Sequence, residues 1–179
     1  MKEFRIAISG KSGCGNTTIS HMVADTLGLK FINFTFRSLA EEKGLEFNEV
    51  LELAEADDSW DREIDSRQVK IALDSHGCVL GSRLAIWMLK EADLKVYLWA
   101  SPETRAGRIV KREGDCPKTV AEFTAKRDQR DKARYLKIYG INNDDYQFAD
   151  MVINTNELSA VEIAETIVNK AREMMNDNK

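Results

Sequence analysis

The residues best suited to chemistry lie between Gly10 and Thr18, in the order Gly10-Lys11-Ser12-Gly13-Cys14-Gly15-Asn16-Thr17-Thr18. Glycines at 10, 13 and 15 let backbone N–H groups turn inward around an anion, and a helix start supplies the positive end of a dipole. The spacing is that of GxxxxGK[ST], with Asn16 where the lysine belongs. Thr17 stands where a hydroxyl holds a magnesium ion. Asn16 can donate a hydrogen bond but brings no charge, and losing one charge-stabilising donor raises a barrier by about 3–4 kcal/mol. Lys11, the second residue of the loop, is a candidate replacement, as is an arginine from a closing flap; the alternative is a Lys11 that points to solvent.

Arginines are the second signal. Arg105, Arg108 and Arg112 fall at i, i+3 and i+7, and so do Arg127, Arg130 and Arg134, each set on one helix face. A planar guanidinium binds two phosphate oxygens at once. Phosphoryl transfer needs alignment and positive charge more than covalent help. The competing reading is two solvated faces paired with Glu113, Asp128 and Asp131. Asp61 and Asp65, one helical turn apart, are a weaker paired-carboxylate candidate. Cys14 sits at a helix N-terminus, which can lower a thiol pKa and make it sensitive to oxidation, although a small residue filling a tight loop is the favoured reading. Trp60, Trp87 and Trp99 read as packing residues, Trp60 and Trp87 also as possible walls of a base pocket. His21 and His76 read as structural.

The elements that must position these groups follow from periodicity. Short apolar runs at Phe4–Ser9, Leu29–Phe34, Cys78–Leu80, Leu94–Ala100 and Met151–Asn154 read as strands. Helical patterns occupy Gly15–Gly28, Thr35–Ala56 with an interruption near Gly44, Trp60–Ser75, Lys118–Tyr139 and Ser159–Met175. Ser101-Pro102-Glu103 reads as an N-cap, a proline at the first helical position and a first-turn acid. Ser159 and Glu162 form a possible capping box. Alternating strands and helices predict an α/β fold, a parallel sheet covered on both faces, with the site at the carboxyl ends of the strands. Residues 35–75 and 103–139 exceed what crossovers need and are candidate moving flaps. No linker separates them, so 1–179 reads as one domain.

Composition excludes several classes. The chain has 179 residues, enough for about one domain with its own core. Its net charge of −4 argues against nucleic-acid polymers and anionic membranes as partners. Three widely spaced cysteines and two histidines argue against a zinc site and fit a reducing, cytoplasmic compartment. Neither a signal peptide nor a membrane span is expected.

Five blocks in order resemble the compact, archaeal-type cytidylate kinases. They are ISGKSGCGNTT at 8–18, FINFTFRSLAEEKGLEFNEV at 31–50, WDREIDSRQ at 60–68 and VLGSRLAIWM at 79–88, then RIVKREG at 108–114 with RDQRDKARYLKIYGI at 127–141 and DMVINT at 150–155. The resemblance implies a P-loop nucleoside monophosphate kinase fold, with a monophosphate-binding flap at 35–75 and a lid at 103–139. It implies ATP-dependent phosphorylation of CMP or dCMP with Mg²⁺, in a monomer. By the same resemblance, Gly10 to Thr18 hold ATP, Thr17 reaches the metal, and Asn154 and Thr155 lie near the adenine. Arg37 holds the CMP phosphate; Asp65, Arg67 and Arg83 line the monophosphate pocket. Arg108, Arg112, Arg127, Arg130 and Arg134 belong to the lid and phosphate cluster.

The chain departs from that pattern in sensitive places. Asn16 replaces the lysine. Gly81 replaces an acid expected to help organise Mg²⁺. Ser82 and Ile86 replace glycines around Arg83, and Asn33-Phe34-Thr35 replaces a small turn, so that Phe34 and Ile86 add bulk beside the monophosphate pocket. Two alternatives follow: a catalytically weak or inactive nucleotide-binding protein of the same fold, and a kinase of another small acceptor.

Overall fold

A computed structural model describes residues 3–114 and 116–177, without the side chain of Glu113. Among these, five strands and eight helices alternate: β1 (Arg5–Gly10), α1 (Asn16–Leu27), β2 (Lys30–Ile32), α2 (Phe36–Lys43), α3 (Phe47–Ala56), α4 (Ser59–Leu73), β3 (Cys78–Gly81), α5 (Ala85–Met88), β4 (Leu94–Trp99), α6 (Pro102–Glu113), α7 (Pro117–Tyr139), β5 (Met151–Asn154) and α8 (Ala160–Asp177). The strands form one parallel sheet in the order β2-β3-β1-β4-β5. A central parallel strand is covered on both faces, so β1 is apolar nearly throughout and buried from Ile6 onward.

Successive β1 side chains point to opposite faces. Ile6 and Ile8 join Ile19 and Val23 of α1 and Ile163, Ile167 and Val168 of α8. Ala7 faces the other way, towards Ala72, Leu80, Ile86 and Tyr97. Ile86 is therefore core, 1% exposed, and does not add the bulk to the monophosphate pocket that the sequence leads us to expect. A third cluster, Ala106, Ile109 and Val120, joins α6 to α7.

The expected local signals operate. The Ser101 hydroxyl accepts from the Thr104 amide at 3.2 Å. Ser159 and Glu162 exchange hydrogen bonds as a capping box, the Ser159 amide donating to Glu162 at 2.8 Å and the Glu162 amide to Ser159 Oγ at 3.3 Å. The interruption at Gly44 is a full break: Gly44, at φ 66°, ends α2, and α3 starts afresh. The one-turn α5 has no counterpart in the sequence reading. Register brings Ile8 beside Gly81, and Gly10 beside Leu98. The loop after β1 thus opens between the ends of β3 and β4.

Candidate active site

The loop from Gly10 to Gly15 is shaped by close backbone approaches. At Gly13, φ is +86° and a Cβ would lie 2.8 Å from the Arg105 carbonyl oxygen, so only glycine fits. Gly15 caps α1 with φ 88°, no side chain caps that helix, and its first turn carries no acid. The first N–H groups of α1 therefore lack a side-chain acceptor, which suits a phosphate.

Two arginines of α6 hold this loop from behind. Arg105 donates to the Ser12 carbonyl at 3.1 Å and grips Asp128 of α7 with both terminal nitrogens, at 3.2 and 2.5 Å. It is 4% exposed. Arg108 donates to the Gly13 carbonyl at 3.3 Å and to the Thr155 hydroxyl at 2.9 Å, and also reaches the Thr155 carbonyl. Thr155 is fully buried, so its side chain faces Arg108 rather than open space beside a base. Asn154 is exposed and accepts from the Asn156 amide at 3.0 Å.

Lys11 does not point to bulk solvent. Its Nζ lies 2.7 Å from Asp144 Oδ1, while Lys132 lies 2.8 Å from the other oxygen. The hydrogen bonds from Lys11 and then Lys132 hold the Asp144 carboxyl below its ordinary range. Lys11 borders two hollows. One is a crevice of about 10 Å³, room for a single water, between Gly10, Arg83, Asp128, Asp131 and Asn143. The other is a cleft of about 300 Å³ walled by Tyr97, Trp99, Pro102, Arg105 and Tyr146.

Arg83 pairs with Asp131 across the crevice. Burial pushes the Asp131 carboxyl up, against the pull of Arg83 and of Arg127, which lies on the same helix. Arg134 binds Asp61 and the Ala54 carbonyl, tying α7 to the α3–α4 segment. Arg130 meets Glu55 at 2.7 Å on the open surface. Asp65 accepts from the Tyr139 hydroxyl at 2.7 Å, and burial pushes its carboxyl up to about 6. Arg67 pairs with Glu42 at 2.8 Å and lies over the Phe34 ring. Arg37 differs from these: its guanidinium rests 4.4 Å from the Phe47 ring centroid, and among the described residues no carboxylate pairs with it.

The structure thus gathers Gly10 to Thr18, Arg83, Arg105 and Arg108 at one end of the sheet. Arg37, Asp65 and Arg67 stand on the α2–α4 segment, and Arg130 and Arg134 face that segment from α7. Of the competing pairings, Asp128 meets Arg105, but in a buried pair and not on a solvated face, and Asp131 meets Arg83, which belongs to neither arginine face; Glu113 lies outside the described side chains. Asp61 and Asp65 serve as partners of Arg134 and Tyr139, not as a catalytic pair. Burial pushes the Cys14 thiol up, opposite to the helix-end effect, so it fills the loop. His21 is exposed beside Asp25, His76 is fully exposed, and Trp87 packs edge-on against Tyr97. Asp144 and Asn143 escaped the sequence reading because an Asn-Asn-Asp-Asp turn signals only a loop. Arg105 was visible in the arginine spacing, but nothing there separated an anchor from a phosphate ligand.

Gly81 has a local explanation. A Cβ there would lie 2.6 Å from Ser20 Oγ and 2.8 Å from Ser20 Cβ. Ser20 fills the space into which a side chain at 81 would project. Among the described residues no group of three or more His, Cys, Asp or Glu could hold a metal ion. The Thr17 hydroxyl accepts from the Asn33 side chain at 3.4 Å.

The profile of the cytidylate kinase-like family matches residues 5–157. The chain belongs to that family. It is 47% identical over 167 residues to a protein named cytidylate kinase 2 of Borreliella afzelii, covering 91% of this chain and 93% of that one. It is 40% identical over 166 residues to the cytidylate kinase of Archaeoglobus fulgidus, covering 92% of each. Shikimate kinase of Bacteroides thetaiotaomicron superposes with a TM-score of 0.63 at 17% identity, over 97% of this chain and 98% of that one, a likeness of fold alone. The cytidylate kinase-like proteins are nucleoside monophosphate kinases, and the parallel sheet with its covering helices is a P-loop kinase fold. Among the described residues no helix is long and apolar enough to cross a membrane.

Proposed function

We propose that this chain transfers the γ-phosphoryl group of ATP to CMP or dCMP. The observation that carries the reading is the crevice between Gly10, Lys11 and Arg83, where the phosphate loop meets the arginine beyond β3. A phosphoryl group passing between two nucleotides would lie there once the crevice widens beyond the single water it now admits and Arg83 turns from Asp131 to the phosphate. The loop N–H groups bind the ATP phosphates. Lys11 supplies the cation that Asn16 lacks, leaving Asp144 to Lys132. Arg37, which has no carboxylate partner among the described residues, takes the monophosphate, and Arg83 with Arg67 borders its pocket. Arg108 and Arg105 hold the loop, while Arg127, Arg130 and Arg134 carry charge on the lid side.

Magnesium supplies charge neutralisation between the phosphate oxygens when bound. The residues present fit a metal held mainly by phosphates and waters: Thr17 offers one hydroxyl, and Asn33 beside it is neutral. Closure of 35–75 and 103–139 over the sheet excludes water, as transfer requires. We read the chain as a single cytoplasmic domain acting as a monomer on small nucleotides.

A second reading, a nucleotide-binding protein with little turnover, draws on Asn16 and on the side-chain-free Gly81. ADP release from Mg²⁺-ATP against a panel of nucleoside monophosphates, with Asn16→Lys alongside, separates the two. Turnover with CMP and dCMP supports the kinase. Turnover only in Asn16→Lys supports the weak-binder reading. A different preferred monophosphate redirects the substrate, and silence in both variants overturns the proposal.

A further inference from the structure

Ser20 is fully buried, one turn into α1, and its hydroxyl donates to Asn16 Oδ1 at 3.0 Å. This is an unusual choice. A helical serine or threonine ordinarily turns its hydroxyl to the carbonyl three or four residues back. Thr26, Thr124 and Thr166 all do so, donating to Met22, Val120 and Glu162 carbonyls at 2.8, 2.7 and 2.8 Å. Ser20 donates to a side chain instead, and that side chain stands at the lysine position of the phosphate loop.

A carboxamide carries its acceptor and its two donors on opposite arms. The arm that faces buried Ser20 is the oxygen, so the N–H₂ arm of Asn16 is left for the partly open side, where the loop receives phosphate. Without Ser20 the side chain loses its anchor on the helix and is free to rotate, so that its N–H₂ no longer stands at the phosphates. The neighbouring strand is shaped to admit this serine: any side chain at 81 would overlap Ser20 Oγ and Cβ. Asn16, Ser20 and Gly81 are therefore one arrangement and not separate losses.

We propose that Ser20 is a positioning residue of the phosphate loop: its hydroxyl fixes the Asn16 amide with the N–H₂ towards the nucleotide phosphates, and Gly81 leaves it room. This rests on the reading of the loop as an ATP site. The chemistry recognised is the anionic oxygen of a nucleoside triphosphate.

The test is calorimetric titration of ATP, with Mg²⁺ present, into the full chain and into Ser20→Ala, Asn16→Ala and the double variant. Ser20→Cys keeps the shape with a slightly larger atom and a weak donor, so that it leaves no cavity where Ser20→Ala does. The expected result is an ATP Kd raised about fivefold by Ser20→Ala and by Ser20→Cys, the effect of one net hydrogen bond. In the Asn16→Ala background the Ser20 change adds no further loss, because the group it orients is gone. In turnover, KM for ATP rises while KM for the monophosphate stays. Unchanged ATP affinity in Ser20→Ala and Ser20→Cys, or losses that multiply in the double variant, overturn the positioning role alone. An unmodified chain that binds no ATP overturns the ATP-site reading and this inference with it.

Discussion

Replacing Arg105 by alanine tests whether the phosphate loop depends on α6. The Arg105 side chain is 5% exposed and that of Asp128 17%, so the pair is largely out of water. Removing one partner of a buried pair costs about 3–5 kcal/mol, because the other charge is left without compensation. Asp128 retains some access to water, which favours the lower end. For a domain of this size each kcal/mol lowers the midpoint of unfolding by about 2–4 °C, so about 3 kcal/mol corresponds to about 6–12 °C. Arg130→Ala is the matched comparison. That residue also pairs with a carboxylate, Glu55, but the two side chains are 68% and 64% exposed. Exposed pairs are worth up to about 1 kcal/mol, so its midpoint should fall by less than about 4 °C. Thermal unfolding followed by circular dichroism measures both. Adding Asp128→Ala to Arg105→Ala should recover part of the loss, since no unpaired carboxylate then remains. An Arg105→Ala midpoint no lower than that of Arg130→Ala would refute the reasoning.

Three further outcomes are expected. Lys11→Ala removes the cation at the loop's second position and should lower kcat for ADP release at least about 100-fold, with the chain still folded by circular dichroism. Asp65, pushed up to about 6 from an ordinary 3.8, binds more protons folded than unfolded between those values, so its contribution to stability falls as pH rises from about 4 to 6 and the penalty is complete above 6. Asp65→Asn keeps an acceptor for Tyr139 without the charge, and should be more stable than the parent by about 2–3 kcal/mol at pH 7, with the gap closing by pH 4 in urea titrations. Gly81→Ala forces a methyl against Ser20 and should cost about 1–3 kcal/mol in urea titration at pH 7, whereas an unchanged midpoint would show that β3 and α1 part without strain.

The sheet was legible because a buried parallel strand leaves an apolar run and a helix end leaves a cap. Ser101 is legible from sequence as an N-cap, and Ser159 together with its partner Glu162. The phosphate loop was legible because its glycines serve local backbone geometry. What escaped was set by distance along the chain. Lys11, just after β1, and Asp144, in the loop between α7 and β5, meet only in the folded chain, and no local pattern announces it. The role of Arg105 as an anchor depends on how closely α6 abuts Gly13, which spacing alone does not reveal. Gly81 looked like a lost acid from sequence. In three dimensions it is a space occupied by a serine from another element.

The contacts of Arg105 and Arg108 with the loop fall on carbonyl oxygens, Ser12 and Gly13, and leave the amide hydrogens alone. A cation on a peptide oxygen draws electron density towards that oxygen and makes the N–H of the same peptide unit a stronger donor. The unit whose oxygen Arg105 holds ends in the Gly13 N–H, and the one held by Arg108 ends in the Cys14 N–H. Cys14 spends its hydrogen on the Lys11 carbonyl at 3.1 Å, which tightens the turn itself. The loop is thus electrified by induction from its rear, through the peptide bond. On the proposed reading of the loop as an ATP site, part of the positive potential that a lysine at 16 would deliver by touch arrives through the Gly13 N–H.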